Sequence, residues 1–476
     1  MHYFLYPFIL CLIPVHSLYA QNLSEISKRD YFQVFAIIEM ILVLGFAFLF
    51  YLTGSFSHAA LLLSVNFFLL FYANYLFIAN VSLYKRCQYY CKKTYSSCYL
   101  IFCGALSLFL YIFLHNIDLL ILNKILFYSS ICLTGFIFLD IFQKLNISMD
   151  ARIDNEYKEK LEKNAEDYPD IYHILLDSHA GFLNKKYYDS SFKEGLESRG
   201  FKIYPEFKSN YPLTHLSAPS MFNMEYIHNL FKGQKYFPST ITYPLYANNL
   251  VHNKLKVMGY ECKIFVDKLL ENIFFQNANK TSNTRENQLL KLVIYHSIIK
   301  AAFRIKTIDG YSRFDSLMES FLEDSNEGNS PKYRFMHTLA PHRPYYFDEK
   351  GARVDRSQLA DDSKYFGYLK YVDEKVLDAI DKIKSKMRPN SIIIIHSDHG
   401  LMSSDTPFNI LCAVYFPNYE ESSCLSENSS LVNLFRCLFN KVFSCDYEIL
   451  EDKFFTMLGT PISSSEDKDV VNEAAL

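Results

Sequence analysis

The sequence predicts an α/β protein in which a helical membrane domain is followed by a doubly wound, largely parallel sheet. Three observations carry this prediction. The first third of the chain is almost entirely apolar. The stretch Ser391–Gly400, SIIIIHSDHG, places four isoleucines before a polar end, as in a strand that is buried on both faces. The stretch Tyr365–Met387 repeats apolar residues at three- and four-residue steps, which is typical of an amphipathic helix.

Five apolar stretches lie before residue 145 and contain few charges. Because a helix needs about 20 residues to cross the hydrocarbon core of a bilayer, we predict a membrane domain of about five transmembrane helices over residues 1–145. The first stretch could instead be a cleaved signal peptide ending near Ala20, but it lacks a basic start, so we expect it to be retained. The stretches are Tyr3–Tyr19, Phe32–Leu52, Ala59–Leu83, Cys98–Leu114 and Leu119–Phe142.

The number of predicted helices and the charges of the loops between them favour different topologies. Five helices that start inside place the C-terminal part outside the cytoplasm, and a cleaved first segment followed by four helices does the same. The basic residues oppose this placement, because Lys28–Arg29 and the loop Lys85–Lys93 would then face outward, against the positive-inside tendency. If the first segment does not insert, four helices would return the C-terminal part to the cytoplasm.

Global composition excludes one class of partner and leaves the cysteines undecided. The net charge is −3 and no basic block dominates, so we expect no nucleic-acid binding, and the sequence gives no oligomeric state. Six of the 11 cysteines lie at or before Cys132. Of the remaining five, Cys437 and Cys445 could form a disulfide, although free buried cysteines fit the sequence at least as well.

The C-terminal part reads as a charged linker over residues 146–170, a globular domain over 171–460 and a disordered tail over 461–476. Short apolar runs alternate with helical periods, which indicates a mostly parallel, doubly wound sheet. The first predicted strand ends at Asp177 and a later one ends at Asp398 and His399. The predicted strands are Ile171–Leu176, Lys263–Val266, Arg334–His337, the isoleucine run before His396, and Leu411–Phe416.

Two predicted strand ends carry the groups of a metal site. In open α/β sheets, ligands bind beyond the carboxyl ends of the strands, so Asp177, Asp398 and His399 could meet in one crevice. Two carboxylates and an imidazole suit a divalent cation, whether zinc, manganese, magnesium or calcium. The alternative is that each aspartate only ends a strand before a turn. The recurrence of the pattern at two distant strand ends favours the metal site.

The stretch Ser209–Met224, SNYPLTHLSAPSMFNM, supplies a candidate nucleophile. Pro212 favours an extended approach, and the small polar residues after it can start a helix. A hydroxyl on the first turn of that helix would meet its partial positive charge and could be deprotonated beside a metal ion. We therefore predict Thr214 as the nucleophile and as a metal ligand. An ordinary helix cap remains the alternative, and Ser217 or Ser220 could take either role.

The stretch Met336–Asp348, MHTLAPHRPYYFD, supplies two histidines. His337 ends a predicted strand, and His342 lies between two prolines, which hold a loop in one shape. An imidazole held in this way can meet a substrate oxyanion or a leaving group. We predict His342 as a catalytic and substrate-binding residue and His337 as a second, weaker candidate for substrate binding.

Taken together, these stretches resemble a known family. The ordered motifs D-I-Y-x-I-L-L-D, N-Y-P-x-T-x-x-S, H-x-L-A-P-H-x-P-Y-x-F-D and S-D-H-G are similar to those of membrane-anchored sulfatase-like hydrolases and transferases of the alkaline phosphatase superfamily. Lipoteichoic acid synthases and phosphoethanolamine transferases are relatives of this kind. The resemblance covers the chain from Asp170 to about Phe455, and the five apolar stretches before it look similar as well.

The resemblance implies a fold, a site and a location. It implies an alkaline-phosphatase-like sheet, in which Asp177, Thr214, Asp398 and His399 match metal-ligand and nucleophile positions and His342 matches a substrate-contacting histidine. Family members act outside the cytoplasm on envelope material, so we expect an integral protein of the cell (inner) membrane with an extracytoplasmic catalytic domain. Three departures concern the site. C-x-P-S-R is absent, and Ser178 and His179 follow Asp177 where relatives often have glycine and an aromatic residue. The D-x-x-x-H pattern of two-zinc phosphatases is not evident around Asp373, so the resemblance does not extend to a second metal ion.

Three functions are compatible with these features. The first is transfer of a phosphorus-containing head group, through Thr214, to an envelope lipid or lipid-linked glycan. An enzyme with a lipid substrate needs its site near the bilayer, which favours transfer over the second function, plain hydrolysis of a phosphate or sulfate ester. The third is a catalytically silent envelope scaffold, although a scaffold would need none of the four residues Asp177, Thr214, Asp398 and His399.

Overall fold

The computed structural model describes most of the chain and divides it into two compact units. The first unit comprises Met1–Ile147 and Lys280–Ile308, and the second comprises Ser148–Asn279 and Asp309–Leu476. Residues 280–308 group with the N-terminal helices although they lie inside the predicted globular domain 171–460. The described residues are 2–23, 26, 28–78, 95–150, 168–184, 190–231, 234, 237–267, 270, 287, 289–290, 293–294, 313–323, 329–355, 357–401, 406–417, 425–456 and 460–462.

The first unit is helical. A 3-10 turn at Tyr3–Leu5 leads into helices α1 (Pro7–Leu10), α2 (Ile13–Gln21), α3 (Lys28–Thr53), α4 (Phe56–Ile78), α5 (Tyr95–Leu114) and α6 (Leu120–Asp150). These helices cover most of each of the five apolar stretches. Among the described residues, three segments are long and apolar enough to cross a membrane, namely Tyr3–Gln21, Lys28–Thr53 and Leu120–Gln143. Phe56–Leu69 and Cys103–Leu114 are shorter apolar helices, so the number five stays a prediction.

The outer surface of these helices is apolar. Tyr51 is 85% exposed, Ile121 is 73% exposed and Phe136 is 69% exposed, and each belongs to a helix that is rich in apolar residues. Exposed apolar area on this scale marks a membrane or protein interaction surface, and the length of the helices favours the membrane. The basic loop Lys85–Lys93 and most of the predicted linker, residues 151–167, lie outside the described residues.

The second unit is built on a six-stranded sheet. Its strands are β1 (Ile171–Leu176), β2 (Lys202–Ile203), β3 (Glu261–Val266), β4 (Lys332–Thr338), β5 (Ile392–His396) and β6 (Cys412–Tyr415). The strand order is β2-β6-β5-β1-β4-β3. Strands β5, β1, β4 and β3 are parallel, whereas β6 pairs antiparallel with both of its neighbours. The predicted fold class, α/β with a largely parallel sheet, is confirmed.

Helices cover both faces of this sheet because alternate side chains of each buried strand point to opposite sides. On one face, Ile171 and Leu175 of β1 pack with Ile392 and Ile394 of β5, and on the other face Ile174 packs with its neighbours. The helices of the unit are α7 (Ser190–Ser198), α8 (Thr214–Phe222), α9 (Ile227–Leu230), α10 (Ser239–Ala247), α11 (Leu250–Val257), α12 (Arg313–Leu322), α13 (Tyr365–Lys384) and α14 (Leu434–Phe443).

Helix α13 shows where the periodic pattern needed correction. It begins at Tyr365, as predicted, and ends at Lys384 rather than Met387. Its buried face includes Tyr368 and Tyr371, whereas the apolar residue Phe366, which fits the three- and four-residue steps, is only half-buried. The stripe is therefore wider than the aliphatic residues alone suggested, because tyrosines bury their rings in it.

The end of the domain contains a small hairpin of β7 (Phe454–Phe455) and β8 (Pro461–Ile462), so two residues of the predicted tail pair with a strand. Residues 463–476 lie outside the described part of the chain. A bridge between Cys437 and Cys445 is excluded, because Cys437 is disulfide-bonded whereas Cys445 forms no disulfide.

Candidate metal centre

Two neighbouring strands of the sheet bring the predicted acidic residues together. Strand β1 runs parallel to β5, with Leu175 opposite His396, so their carboxyl ends lie at the same edge. Asp177 directly follows β1. Asp398 and His399 lie two and three residues after the end of β5. His399 Nε2 lies 3.5 Å from Asp177 Oδ1 and 3.7 Å from Asp398 Oδ2. The sequence prediction that these three side chains share a crevice agrees with this geometry.

Thr214 stands beside the same three side chains. It is the first residue of α8, and its Oγ1 lies 3.5 Å from Asp177 Oδ2 and 3.4 Å from His399 Nε2. Its side chain is half-buried, whereas the other three residues are buried, so Thr214 is the member that faces the opening. We call Asp177, Thr214, Asp398 and His399 the strand-end cluster.

The alternatives to Thr214 point elsewhere. Leu213 is the N-cap of α8, and no side chain caps this helix end, so Thr214 does not act as an ordinary cap. Ser217 Oγ donates to the carbonyl oxygen of Asp398 at 2.6 Å. Ser220 Oγ donates to the carbonyl oxygen of Glu225 at 2.8 Å. Each serine is therefore occupied by a main-chain acceptor, and Thr214 is left as the hydroxyl within reach of the acidic residues.

The strand-end cluster fits a divalent cation. Ligand atoms of Asp177, Asp398 and His399 all lie within 4.8 Å of one another. Asp177 Oδ1 and Asp398 Oδ2 are buried without a hydrogen-bond donor among the described residues, which is costly for a carboxylate unless a cation or water faces it. Four ligands at about 2.1 Å around a tetrahedral ion stand roughly 3.4 Å apart, close to the observed spacings.

Neighbouring groups orient the ligands. The Ser178 main-chain N–H donates to Asp398 Oδ1 at 3.2 Å, which leaves Oδ2 facing the cluster. His399 Nδ1 lies 2.9 Å from the carbonyl oxygen of Gly400, so donation from Nδ1 leaves Nε2 as the ligand atom. Gly400 itself cannot be replaced simply, because a Cβ there would lie 2.6 Å from the carbonyl oxygen of Pro407.

His337 lies deeper than the other predicted site histidine, His342. Its side chain is fully buried behind Asp177, with Nε2 3.8 Å from Asp177 Oδ2 and Nδ1 2.7 Å from the hydroxyl of Tyr246. A substrate entering from the open side would meet Asp177 and Thr214 before it reached this ring. This depth follows from its position inside the buried strand β4, one residue before the strand ends, and its contact with substrate stays a prediction.

His342 lies on the exposed side of the strand-end cluster, and its catalytic and substrate-binding role stays a prediction. It is exposed, and its ring centre is 6.5 Å from that of His399. Its Nδ1 lies 2.7 Å from the carbonyl oxygen of Arg343, so a proton on Nδ1 would leave Nε2 free to face a bound molecule.

Charges in the cluster shift the protonation of its members in opposite directions. Burial disfavours the ionised form of Asp177, but the imidazoles of His337, His399 and His342 outweigh it and lower the pKa of the carboxyl group below 3.8. Burial disfavours the charged form of His399, but the carboxylates of Asp398 and Asp177 outweigh it and raise its pKa above 6.5. The site therefore attracts positive charge, which is what a cation site must do.

The sequence analysis missed His215 and the histidines beneath the cluster. His215 follows Thr214, and burial lowers its pKa to about 4, so it is a neutral ring beside the nucleophile candidate. His173 and His396 lie inside the buried strands β1 and β5, with their Nε2 atoms 2.6 Å apart. A histidine within an otherwise apolar strand was the available signal, since buried polar residues require partners.

Comparison with known proteins identifies the family. The sulfatase family model matches residues 169–435, which is more than half of the chain. The chain belongs to the sulfatase family. The recognition of a sulfatase-like membrane protein of the alkaline phosphatase superfamily is confirmed, and membership supports an enzyme that acts on phosphate or sulfate esters.

Individual relatives of this sulfatase-family protein are distant. Lipoteichoic acid synthase of Staphylococcus aureus (strain USA300) is 36% identical over 74 residues, which are 15% of this chain and only 11% of that protein. The C-terminal periplasmic domain of EcEptC from Escherichia coli, solved with Zn, has a TM-score of 0.40 and 14% identity over 60% of this chain and 84% of that one. Lipooligosaccharide phosphoethanolamine transferase A of Neisseria meningitidis has a TM-score of 0.40 and 12% identity over 72% of this chain and 69% of that one.

Proposed function

We propose that this protein is a metal-dependent transferase that moves a phosphorus-containing head group onto an envelope lipid or lipid-linked glycan through Thr214. One observation carries the proposal. The Thr214 hydroxyl lies 3.4 Å from His399 and 3.5 Å from Asp177, beside carboxylate oxygens that lack donors among the described residues. Asp177, Asp398, His399 and Thr214 would hold the divalent cation.

The cation, when bound, supplies positive charge that favours the alkoxide of Thr214 and the charge that builds on the transferred group. Thr214 lies at the N-terminus of α8, whose partial positive charge acts in the same direction. Asp177 Oδ2 lies 3.5 Å from its hydroxyl and could take its proton, whereas His399 Nε2 would be occupied as a ligand of the cation. The rigid strand ends behind them fix the direction of attack.

Group transfer then needs two displacements. In the first, the Thr214 oxygen bonds to phosphorus while the bond from phosphorus to the leaving oxygen breaks, and a proton from the rim, where His342 lies, completes the leaving alcohol. In the second, an acceptor hydroxyl bonds to phosphorus while the bond from phosphorus to the Thr214 oxygen breaks, and the proton given up by the acceptor restores the Thr214 hydroxyl. Such a covalent intermediate divides one difficult step into two easier ones. Water as the acceptor would make the same site a hydrolase.

The membrane unit favours transfer over hydrolysis. Three segments of the described chain are long enough to cross a bilayer, and a hydrolase of soluble esters would gain little from them. A lipid donor or acceptor, in contrast, is confined to the bilayer and requires an enzyme that is confined there as well. Lipoteichoic acid synthase and phosphoethanolamine transferase, the names of two relatives, denote transferases of this kind.

We place the catalytic unit outside the cytoplasm in the cell membrane. Cys437 is disulfide-bonded, and disulfides persist mainly in oxidising compartments. A reporter that is active only outside the cytoplasm, fused after Asp170, should be active. A second fusion within Lys85–Lys93 tests the basic loop directly. Silence of both fusions would favour the cytoplasmic placement.

The deciding experiment is mass spectrometry of envelope lipids and glycans from cells that carry the parent, Thr214→Ala or Thr214→Ser. We expect the alanine variant to lose a substituent mass, such as phosphoethanolamine or phosphoglycerol, and the serine variant, which keeps a hydroxyl, to retain part of it. An accumulating intact ester with no missing substituent would identify a hydrolase. Full rescue of a deletion by alanine at all four cluster positions would identify a scaffold.

A further inference from the structure

The side chain of His179 turns away from the strand-end cluster although it lies two residues after Asp177. It is 3% exposed, and its Nε2 lies 2.8 Å from Asp373 Oδ1, on helix α13. Its Nδ1 lies 2.8 Å from the carbonyl oxygen of Ala180. Both ring nitrogens therefore face acceptors, and the ring is held at two points. Asp373 is itself 6% exposed, so the pair is shielded from water.

The backbone around His179 is fixed by the same helix and by the neighbouring strand end. The hydroxyl of Tyr365, the first residue of α13, accepts from the Ala180 N–H and donates to the Ser178 carbonyl oxygen, both at 2.9 Å. The Ser397 hydroxyl donates to the His179 carbonyl oxygen at 2.7 Å. Three successive residues after Asp177 are thus held by side chains from outside the segment.

Ser178 shows that this support has a specific geometric purpose. Its φ is 61°, a left-handed conformation that costs about 1 kcal/mol or more for a residue with a Cβ. In that conformation its N–H donates to Asp398 Oδ1 at 3.2 Å. The short segment therefore joins the two carboxylates of the cluster, since it starts at Asp177 and holds Asp398. A shift of the segment would displace both.

We propose that His179 and Asp373 are positioning residues, which set the affinity of the strand-end cluster for its cation by holding the segment Ser178–Ala180. The inference rests on the proposed function, because it requires that the cluster binds a cation. Stability alone does not require a buried polar pair at this position. Apolar residues of similar volume often stabilise a core as well as a buried ion pair does.

The test compares variants of the full-length protein by titration with Zn²⁺ and with Mn²⁺. Groups that orient ligands change metal affinity by about 10- to 100-fold when they are removed. We expect that loss for Asp373→Asn. Asp381→Asn is the matched control, because Asp381 lies on the same helix and pairs with Arg199 at an exposed site, 2.6 Å away. Its metal affinity should stay within about twofold of the parent.

Two variants of His179 separate positioning from folding. Phenylalanine fills the volume of the ring without a donor, whereas glutamine keeps a donor that can reach Asp373. We expect His179→Phe to weaken metal binding about as much as Asp373→Asn, and His179→Gln to recover most of the affinity. Thermal unfolding of the metal-free variants is measured in parallel, since a folding defect would lower the melting temperature of both histidine variants without distinguishing their metal affinities.

The outcomes are distinct. Metal binding by the parent together with unchanged affinity in Asp373→Asn would overturn this inference and leave the proposed function standing. Equal affinities of His179→Phe and His179→Gln would also overturn it, because the donor would then be irrelevant. Failure of the parent to bind either ion would overturn the proposed function and this inference with it.

Discussion

Two histidines at the end of strand β5, three residues apart, have opposite properties. His396 is the last residue of the strand and is fully buried, and its burial lowers its pKa to about 4. His399 is nearly as buried, at 4% exposure, but burial is outweighed by the carboxylates of Asp398 and Asp177, which raise its pKa above 6.5. Burial alone therefore does not decide the charge of a histidine, because neighbouring carboxylates can reverse the pKa shift that burial causes.

The comparison extends to the residues around each ring. We call His173, His252 and His396 the buried histidine layer, which lies among apolar rings such as Phe222 and Phe335. In this layer the hydroxyl of Tyr333 lies 2.8 Å from His173 Nδ1. Hydrogen bonds between neutral groups are sufficient here. The strand-end cluster instead concentrates negative charge, which only a cation or a proton can balance.

The largest expected effect is the loss of a cluster carboxylate. Asp398→Asn keeps the shape of the side chain but removes a charged ligand, so we expect loss of bound metal and a decrease in turnover of about 10³-fold or more. Metal content and turnover of a generic phosphodiester measure this. Asp378→Asn, an exposed aspartate on α13, is the control and should match the parent. Full metal content in Asp398→Asn would place the cation elsewhere.

The next effect separates the buried ligands of the strand-end cluster from the exposed residue His342. His342 is exposed and is not one of the grouped ligand residues Asp177, Asp398 and His399, so His342→Ala should leave metal content unchanged while turnover falls about 10²-fold, the usual contribution of one acid–base group. His342→Asn, which keeps one donor and one acceptor, should fall less. If either variant loses its metal, His342 belongs to the metal ligands and its separation from them is wrong.

How far the sequence predicts this site follows from the same distinction. Asp177, Asp398 and His399 could be predicted because strands β1 and β5 are recognisable from their apolar runs, and parallel strands end at a common edge. Thr214 could be predicted as a helix start. The inward turn of His179 and the burial of His337 could not, because the direction of a side chain depends on partners such as Asp373 and Tyr246, which lie 194 and 91 residues away.

The fold divides in the same way. The membrane helices and the predicted strands follow from the length of apolar runs, and α13 follows from the periodicity of its apolar residues, and both are local properties. The grouping of residues 280–308 with the N-terminal helices is not local, since Leu289 and Val293 are buried against residues such as Tyr31 and Ile38 that precede them by more than 200 positions. No pattern within residues 280–308 names that partner.

A smaller effect is the pH dependence of stability. The histidine layer remains neutral when folded, but its members would bind protons near pH 6.5 when unfolded. Stability should therefore be complete above about pH 6.5 and fall towards pH 4, by up to about 1.4 kcal/mol per pH unit for each histidine. His399 contributes the opposite sign in metal-free protein, because its raised pKa adds stability below pH 6.5 that is lost as the pH rises. Melting temperatures of the full-length protein with chelator across pH 4–8 measure the sum of these contributions. A melting temperature that stays constant as the pH drops below 6.5 would contradict the prediction.

The smallest effect isolates one member of the layer. His252 has a pKa of about 3 because it is buried, and its Nε2 has no hydrogen-bond partner among the described residues. Its Nδ1 lies 3.0 Å from Asn249 Nδ2, and its ring packs against Phe222 and Tyr333. Phenylalanine suits these apolar neighbours but loses the contact with Asn249, so His252→Phe should change stability at pH 7 by about 1 kcal/mol or less. At pH 5, His252 is protonated in the unfolded parent and neutral in the folded parent, and this difference lowers the free energy of unfolding of the parent by about 2 kcal/mol. The variant is free of that cost, so its stability relative to the parent should improve by about 2 kcal/mol between pH 7 and pH 5. Unfolding of the two proteins at both pH values tests this, and parallel pH profiles would show that His252 is protonated in the folded protein.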